Sequence, residues 1–287
     1  MSDYCSNHCT YCGFNRTRPF SRRQLSPAEI EREASVIAAS GIRHILVLTG
    51  EAPEKTPMSY LRDAIAVLKQ YFASIALEIF PMDEKDYRTL QQAGADSLTV
   101  YQEVYNREVY REVHLAGKKR DYEYRLLTPE RGAEAGFRAI NIGTLFGLGE
   151  TRSEAFFAAM HARYLQHAFP RVEISLSLPR ITGEGGKPEN ILPDRQLVQT
   201  MLAWRLFLPR LGITVSTREA PAFRDKLLHL GATRFSAGSR TDVGGYSEPG
   251  SSTVQFEITD NRSVAEVVEM IRQNGYQPVF KDWEPLQ

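Results

Sequence analysis

Short apolar, β-branched runs alternate with longer amphipathic stretches along most of the chain. Seven runs predict strands, at residues 44–48, 76–80, 97–101, 139–143, 172–178, 213–216 and 234–237. Longer stretches before, between and after them have the spacing of helices with one apolar face, at residues 26–41, 58–72, 83–93, 153–169, 194–209, 221–230 and 263–274. A strand followed by a helix, repeated many times, is typical of an α/β fold with a parallel sheet.

Capping residues predict where several of these helices begin and end. Ser26 and Glu29 have the spacing of a capping box, and Gly41 follows the same helix. Four more glycines stand just past helical stretches, where a residue with positive φ commonly ends a helix: Gly94, Gly136, Gly212 and Gly231.

The number of strands is one short of a complete eight-stranded barrel. A loop of three cysteines should follow the first strand, yet only residues 1–4 precede it. We therefore predict an α/β fold, a (β/α)8 TIM-like barrel over residues 1–250 whose first strand is truncated. No low-complexity linker divides the chain, so residues 251–287 are predicted to form a short C-terminal appendix packed on the barrel.

Composition narrows the class of partner. The 287 residues include 35 Lys plus Arg and 35 Asp plus Glu, so the net charge is zero. A neutral chain lacks the general attraction that nucleic acid or an anionic membrane requires, and we expect neither as a partner. The N-terminus has no signal pattern and no apolar run is long enough to span a membrane. These features predict a cytoplasmic enzyme with a small-molecule substrate.

The three cysteines, Cys5, Cys9 and Cys12, have the spacing C-x3-C-x2-C. An odd, clustered set is a poor disulfide framework. Structural zinc is one alternative, with His8 as the fourth ligand. The spacing favours a 4Fe-4S cluster in which each thiolate holds one iron and the fourth iron has no protein ligand.

The residues from Cys5 to Cys12, with the aromatic Tyr11 before the last cysteine, resemble those of the radical S-adenosylmethionine (SAM) superfamily. The resemblance implies a radical SAM barrel in which the open iron of the 4Fe-4S cluster binds SAM. It also implies that an electron from the cluster cleaves SAM to a 5′-deoxyadenosyl radical, so that the cofactor supplies the difficult chemistry.

Candidate cofactor-binding residues lie where the predicted strands end, since reactive groups of α/β barrels gather there. Gly50 allows a close backbone approach and Glu51 can meet an ammonium, although a simple turn explains the pair as well. Glu103 and Arg125 suit the amino-acid part of SAM, with a surface ion pair as the alternative. Asn141 lies in an apolar strand that adenine can contact, or that only packs in the core.

Ser216 and Arg218 follow the strand predicted at 213–216 and are candidates to hold a substrate carboxylate, because arginine binds carboxylates through two parallel hydrogen bonds. The alternative is an ion pair between Arg218 and Glu219 or Asp225.

Motifs along the whole chain resemble one family, the 2-iminoacetate synthases, which are the tyrosine lyases of thiamine biosynthesis. They are Leu48-Thr49-Gly50-Glu51, Tyr101-Gln102-Glu103, Ser177-Leu178-Pro179-Arg180, Ser216-Thr217-Arg218-Glu219, Gly244-Gly245-Tyr246, Gln255-Phe256 and the six residues 278–283. The resemblance implies that Ser216 and Arg218 hold the carboxylate of L-tyrosine and that Glu103 and Arg125 contact SAM. It further implies cleavage of the Cα–Cβ bond to p-cresol and dehydroglycine. Thiazole synthase is implied as the product acceptor, with flavodoxin or ferredoxin as the electron donor.

The chain departs from the family pattern in three places. It lacks the N-terminal extension and full first strand, it has no tryptophan in the loop at 149–152, and residues 182–187 differ from the usual Pro-rich segment. The related tyrosine lyase that matures iron-only hydrogenase has a second cysteine-ligated cluster, whereas no cysteine follows Cys12 here. Two further hypotheses stay open: a lyase of the same design acting on tryptophan, and an inactive truncated remnant.

Overall fold

A parallel sheet of seven strands forms the centre of the structure, and its strand order follows the chain. The computed structural model describes residues 1–181, 190–250 and 252–281, so residues 182–187 and 282–283 of the sequence motifs lie outside the described part. A separate antiparallel pair comprises β1 His8–Cys9 and β5 His114–Ala116. The strands of the main sheet are β2 His44–Leu48, β3 Ser74–Glu78, β4 Ser97–Glu103, β6 Ala139–Thr144, β7 Glu173–Ser177, β8 Gly212–Val215 and β9 Arg234–Phe235. All seven predicted strands are confirmed, with ends that differ by two residues or fewer.

The seven predicted helices are also present, and three short ones were not predicted. The predicted capping box forms at Ser26 with Glu29, and a second one forms at Ser263 with Glu266. No helix in the described part of the chain is long and apolar enough to cross a membrane. The helices are α1 Pro27–Ala39, α2 Met58–Leu68, α3 Glu84–Ala93, α4 Arg107–Val113, α5 Tyr122–Leu126, α6 Thr128–Glu134, α7 Thr151–Ala168, α8 Asp194–Phe207, α9 Pro221–Leu227 and α10 Val264–Gln273.

One of the four glycines expected to end a helix has a different role. Gly94, Gly136 and Gly231 have positive φ angles of 127°, 96° and 98°, as expected. Gly212 is instead the first residue of β8, so that prediction was wrong. A Cβ at this position would lie 2.7 Å from the Cβ of Ser175, and the glycine therefore allows β8 to lie close to β7.

The two faces of the sheet differ in polarity because side chains alternate along each strand. One set is packed in the main apolar core with the helices and includes Leu77, Leu98, Ile140, Leu176 and Ile213. The alternate positions line a cavity of about 1190 Å³ and include Glu78, Thr99, Asn141, Ser177 and Thr214. The sheet is thus a curled half-barrel with a polar inner face.

The place of the first barrel strand is taken by the first two residues. Ser2 forms a parallel bridge with Thr49 and an antiparallel bridge with Gln24. The amino group of Met1 donates a hydrogen bond of 2.7 Å to the carbonyl of Leu48. The TIM-like α/β fold is therefore confirmed, with residues 1–2 beside β2 at the edge of the sheet.

The C-terminal segment packs on the loop that follows β8. The amides of Thr259 and Asp260 both donate to the carbonyl of Thr217 at 3.0 Å. Asp260 binds Arg224 in an ion pair whose side chains are both 0% exposed, and Arg262 binds the same carboxylate at 2.7 Å. Burial alone would raise the pKa of Asp260, but its bonds to the two arginines lower it to about 2. The division into a barrel and an appendix at residue 250 stays a prediction.

We expect Arg224→Met to lower the free energy of unfolding by about 1.5–3 kcal/mol, because the fully buried carboxylate of Asp260 loses a charge-assisted hydrogen bond and keeps only Arg262 as its ion-pair partner. Urea denaturation of the protein without cofactors measures the change. Arg272→Met is the matched control, since Arg272 is exposed on α10, and its effect should stay within about 0.5 kcal/mol. Equal stability of the Arg224→Met protein and the parent would show that this pair does not anchor the C-terminal segment.

Candidate active site

The cysteine loop is fixed on both sides by backbone hydrogen bonds. Strand β1 pairs with β5, and the amide of Thr10 donates to the carbonyl of Val113 at 3.0 Å. The amide of Gly13 donates to the carbonyl of Gln255 at 3.0 Å. The C-terminal segment therefore helps to hold the loop in place.

The three thiols fit an iron-sulfur cluster better than a single ion. Burial raises the pKa of Cys9 to about 12 and that of Cys12 to about 11, and the neighbouring thiols add to the effect. Such thiols become thiolates only when positive charge is supplied, as iron does. No group of three or more His, Cys, Asp or Glu among the described residues converges on one ion, as tetrahedral zinc requires. A cube does not require such convergence, because each thiolate holds a different iron.

Close contacts within the chain require a glycine at position 50. A Cβ at Gly50 would lie 2.2 Å from the carbonyl oxygen of Tyr4, and the amide of Gly50 donates to the carbonyl of Ser2 at 2.7 Å. The amide of Ser6 donates to the carbonyl of Glu51 at 3.0 Å. The loop after β2 is thereby joined to the cysteine loop, and its contact with a ligand stays a prediction.

Four charged side chains form a buried cluster beside the cysteine loop. Arg125 Nη1 lies 2.9 Å from Glu51 Oε1, and Lys119 Nζ lies 2.7 Å from Glu103 Oε1. Arg125 Nη2 lies 3.7 Å from the same Glu103 oxygen. The four side chains are only 7–15% exposed. The alternative of a surface ion pair between Glu103 and Arg125 is therefore wrong, since both side chains are buried and each has a further ion-pair partner, Lys119 for Glu103 and Glu51 for Arg125.

The cluster stays charged although it is buried. Burial opposes ionisation of Glu51, but Arg125, Lys119 and a hydrogen bond from Asn7 lower its pKa. Burial likewise opposes the charge of Lys119, yet its carboxylate neighbours raise the pKa of the ammonium. The charges of the two carboxylates and the two cations cancel, so the four side chains offer both negative and positive groups to a zwitterionic ligand.

Glu103 has a strained backbone at the end of β4. Its φ of 71° makes it the one residue other than glycine with positive φ in the described part of the chain. The carbonyl of Glu103 accepts hydrogen bonds of 2.7 Å from the amide of Leu145 and from Thr144 Oγ1. Strain that the surroundings maintain is common at ligand sites, and here it directs the carboxylate into the cluster.

Tyr11 lies beside the charged cluster, with Lys119 Nζ 5.7 Å from the centre of its ring, whereas Asn141 lies on β6. The hydroxyl of Tyr11 lies 2.8 Å from Nε2 of His114. Asn141 Nδ2 donates to Ser177 Oγ at 2.9 Å, and Ser175 Oγ donates to Asn141 Oδ1 at 3.0 Å. Asn141 is therefore part of the polar inner wall of the cavity, and the roles of both residues toward SAM stay predictions.

Arg218 lies just after β8 with Ser216, and both line the cavity. Its guanidinium stacks on the ring of Phe256 at 3.5 Å, and burial lowers its pKa. Neither acid proposed as its partner is available: Glu219 accepts from Arg180 Nε at 3.0 Å, and Asp225 accepts from Arg262 at 2.9 Å. The alternative of an ion pair for Arg218 is therefore wrong. Within the described residues its guanidinium has no carboxylate partner.

Three residues of the site did not emerge from the sequence. Lys119 is one of several basic residues in the turn at 118–120, and nothing in the pattern shows which one faces inward. Phe256 is distant in sequence from the Arg218 that it covers. Glu78 was not identified because the predicted strand ran to residue 80, whereas β3 ends at Glu78 itself.

Comparison with known proteins agrees with this arrangement. The Radical SAM superfamily matches residues 1–158, and the Biotin and Thiamin Synthesis associated domain matches residues 170–277. The 2-iminoacetate synthase of Escherichia coli is 39% identical over 99% of this chain and 76% of its own length. This chain belongs to the 2-iminoacetate synthase family of radical SAM enzymes. The cofactors of that superfamily are a 4Fe-4S cluster and SAM.

Solved structures support the assignment to this family. The [FeFe]-hydrogenase maturase HydG superposes with a TM-score of 0.91 at 30% identity, covering 98% of this chain and 63% of the maturase. HydG from Carboxydothermus hydrogenoformans gives 0.89 at 36% identity, covering 97% and 66%. The chain thus spans about two thirds of these relatives. Methylornithine synthase, at 19% identity and a TM-score of 0.76, shares the fold.

We expect Arg125→Ala to weaken SAM binding on the order of 10- to 100-fold, because a charge-assisted contact is lost and Glu51 and Glu103 lose their shared cation. The spectrum of the 4Fe-4S cluster should stay nearly unchanged. Equilibrium dialysis with labelled SAM measures the affinity. Arg107→Ala is the matched control, because Arg107 pairs with Glu123 at the exposed surface. Unaltered SAM affinity with weaker tyrosine binding would show that Arg125 serves the substrate.

Proposed function

We propose that this chain is a 2-iminoacetate synthase that breaks the Cα–Cβ bond of L-tyrosine to give dehydroglycine (2-iminoacetate) and p-cresol. Membership of the family supports the reaction. The observation that carries the substrate assignment is the partly buried Arg218 guanidinium, which lines the cavity and has no carboxylate partner among the described residues. A charge held away from water in this way favours an anionic partner, and the carboxylate of an amino acid provides one.

The residues of the cysteine loop and the charged cluster divide the cofactor roles. When bound, the 4Fe-4S cluster and SAM supply a 5′-deoxyadenosyl radical. Cys5, Cys9 and Cys12 hold three irons of the cluster through their thiolates. Glu51, Glu103 and Arg125 present charges of both signs to the zwitterionic part of SAM. Tyr11, Gly50 and Asn141 complete the set of cofactor contacts that we propose.

Arg218 and Ser216 orient the substrate. Two parallel hydrogen bonds from the guanidinium fix both the position and the rotation of a carboxylate. The stack on Phe256 in turn fixes the plane of the guanidinium. A primary carbon radical abstracts hydrogen from many positions, so selectivity requires that the target lie within about 3–3.5 Å. We infer that Arg218 and Ser216, which we call the carboxylate clamp, hold tyrosine so that its amino group is the target.

The chemistry also indicates partners. Dehydroglycine is an imine that water hydrolyses, so direct transfer to thiazole synthase would protect it. Each turnover would need two electrons: one to cleave SAM, and one, with a proton, to convert the p-hydroxybenzyl radical left after Cα–Cβ cleavage into p-cresol. Flavodoxin or ferredoxin would supply them. The neutral net charge supports a small-molecule substrate rather than nucleic acid or a membrane surface, and we place the enzyme in the cytoplasm.

Product analysis tests the proposal. The protein is reconstituted with iron and sulfide under anaerobic conditions and incubated with SAM, a reductant and either L-tyrosine or L-tryptophan. We expect p-cresol and 5′-deoxyadenosine in equal amounts from tyrosine, and no indole product from tryptophan. An indole product alone would identify a tryptophan lyase. A fully loaded cluster without cleavage of SAM would identify an inactive remnant.

A further inference from the structure

Two oppositely charged side chains line the cavity without an ion-pair partner among the residues that the structure describes. Arg218 is one of them. Glu78, the last residue of β3, lines the same cavity, and its carboxylate has no hydrogen bond or ion pair within the described residues. The two side chains do not pair with each other, although each one shifts the pKa of the other. A gap between a cation and an anion suits a zwitterion, which is the form of a free amino acid.

The other carboxylates that line the cavity in the described part are engaged or exposed. Glu103 binds Lys119 at 2.7 Å. Glu266 accepts hydrogen bonds from Ser263 at the start of α10. Glu257 lies at the surface. Glu78 is therefore the carboxylate that is available to a ligand amino group.

We propose that Glu78 binds the α-amino group of the substrate and accepts a proton from it. This inference rests on the proposed function. Glu78 and Arg218 line the same cavity and lie close enough to affect each other's pKa, so a zwitterion whose carboxylate binds Arg218 can place its ammonium on Glu78. In the transfer, an N–H bond of the ammonium breaks and an O–H bond forms on Glu78, with no change in electron count. The neutral amine that results is the form from which removal of a hydrogen atom leaves an uncharged nitrogen.

The surroundings of Glu78 suit a proton acceptor. Burial raises its pKa to about 7, which is closer to that of an amino group than the pKa of an ordinary glutamate. Glu103 raises this pKa further, whereas the three cations nearby lower it. The charged and titratable groups that act on Glu78 are Glu103 and Tyr101 of β4, Lys119 between β5 and α5, Arg125 of α5 and Arg218 after β8.

Three ligands measure the contributions of Arg218 and Glu78 to binding separately. They are L-tyrosine, tyramine, which lacks the carboxylate, and 3-(4-hydroxyphenyl)propanoate, which lacks the amino group. Affinities are measured on the protein loaded with cluster and SAM but without reductant, so that no turnover occurs. Glu78→Gln should weaken binding of tyrosine and tyramine on the order of 10- to 100-fold and leave the propanoate unchanged. Glu257→Gln is the matched control and should change none of the three.

The parent protein supplies a second measurement that needs no variant. Its affinity for tyramine should rise as the pH increases through about 7, because only ionised Glu78 attracts an ammonium. Glu78→Gln should remove this dependence, and Glu78→Asp should restore it. Tyramine affinity of the parent that does not vary between about pH 6 and pH 8 would overturn the assignment.

The outcomes distinguish this inference from the proposed function. Equal weakening of all three ligands in the Glu78→Gln protein, or unchanged tyrosine binding, would refute the role of Glu78 even if the parent forms p-cresol. A parent that shows the expected ligand pattern but forms no p-cresol would refute the proposed function and leave the role of Glu78 intact.

Discussion

Replacement of Arg218 by lysine should leave SAM cleavage intact while p-cresol formed per 5′-deoxyadenosine falls by about tenfold or more. Lysine keeps the positive charge but loses the planar pair of donors, so it holds a carboxylate without fixing its rotation. It also loses the flat surface that stacks on Phe256 at 3.5 Å. The substrate would then lie in several orientations, and the radical would be quenched without cleavage of the Cα–Cβ bond.

The control for this variant is Arg240→Lys. Arg240 lines the same cavity but is exposed at its rim, so its replacement should preserve the product ratio. Both products are quantified by liquid chromatography under the same anaerobic conditions. If the Arg218→Lys protein produced p-cresol and 5′-deoxyadenosine in the parent's ratio and at the parent's rate, the assignment of Arg218 to the substrate carboxylate would be wrong.

Replacement of Cys9 by alanine should abolish assembly of the cluster and reduce SAM cleavage to background. Cys9 is 4% exposed and lies in β1, where it pairs with His114 of β5. The chain contains no cysteine besides Cys5, Cys9 and Cys12, and thiolates are the donors that an iron-sulfur cube requires. Iron and sulfide content, with the electron paramagnetic resonance spectrum of the reduced protein, measures the loss.

Thr10→Ala is the control for Cys9→Ala, because the exposed Thr10 contributes its backbone amide to the loop and keeps it as alanine. This protein should load about four irons, as the parent does. A Cys9→Ala protein with the same iron content and normal SAM cleavage would show that the cysteine assignment is wrong.

The sequence predicted those parts of the site that depend on local order. The strands were identifiable because apolar, β-branched runs of the right length recur between amphipathic stretches. The residues after them led to Glu103 and Arg218 because the carboxyl ends of parallel strands meet at one edge. For Glu51, Glu103 and Arg125, the structure confirms that the three side chains come together.

The residues that the sequence did not reveal depend on contacts between distant segments. The predicted strand ran to residue 80, so Glu78 was interpreted as an interior strand position. In the structure β3 ends two residues earlier, at Glu78 itself, and this residue lines the cavity. Lys119 enters the charged cluster because the turn at 118–120 lies against Asn7, whose side-chain oxygen accepts from the Lys119 amide at 3.0 Å. The Gly212 error has the same origin, since the need for glycine there comes from Ser175 on the neighbouring strand.

The most direct test follows the hydrogen atom that is removed from tyrosine. In D2O the amino and phenolic hydrogens of tyrosine exchange for deuterium, whereas hydrogens bound to carbon do not. O-methyltyrosine, which has no phenolic hydrogen, limits the exchangeable positions to the amino group and is measured beside tyrosine. If Arg218 and Ser216 present the amino group, 5′-deoxyadenosine formed in D2O should gain deuterium. In H2O, tyrosine deuterated at its carbon atoms should transfer none. Deuterium transferred from the carbon positions, with none gained in D2O, would contradict the proposed orientation of the substrate.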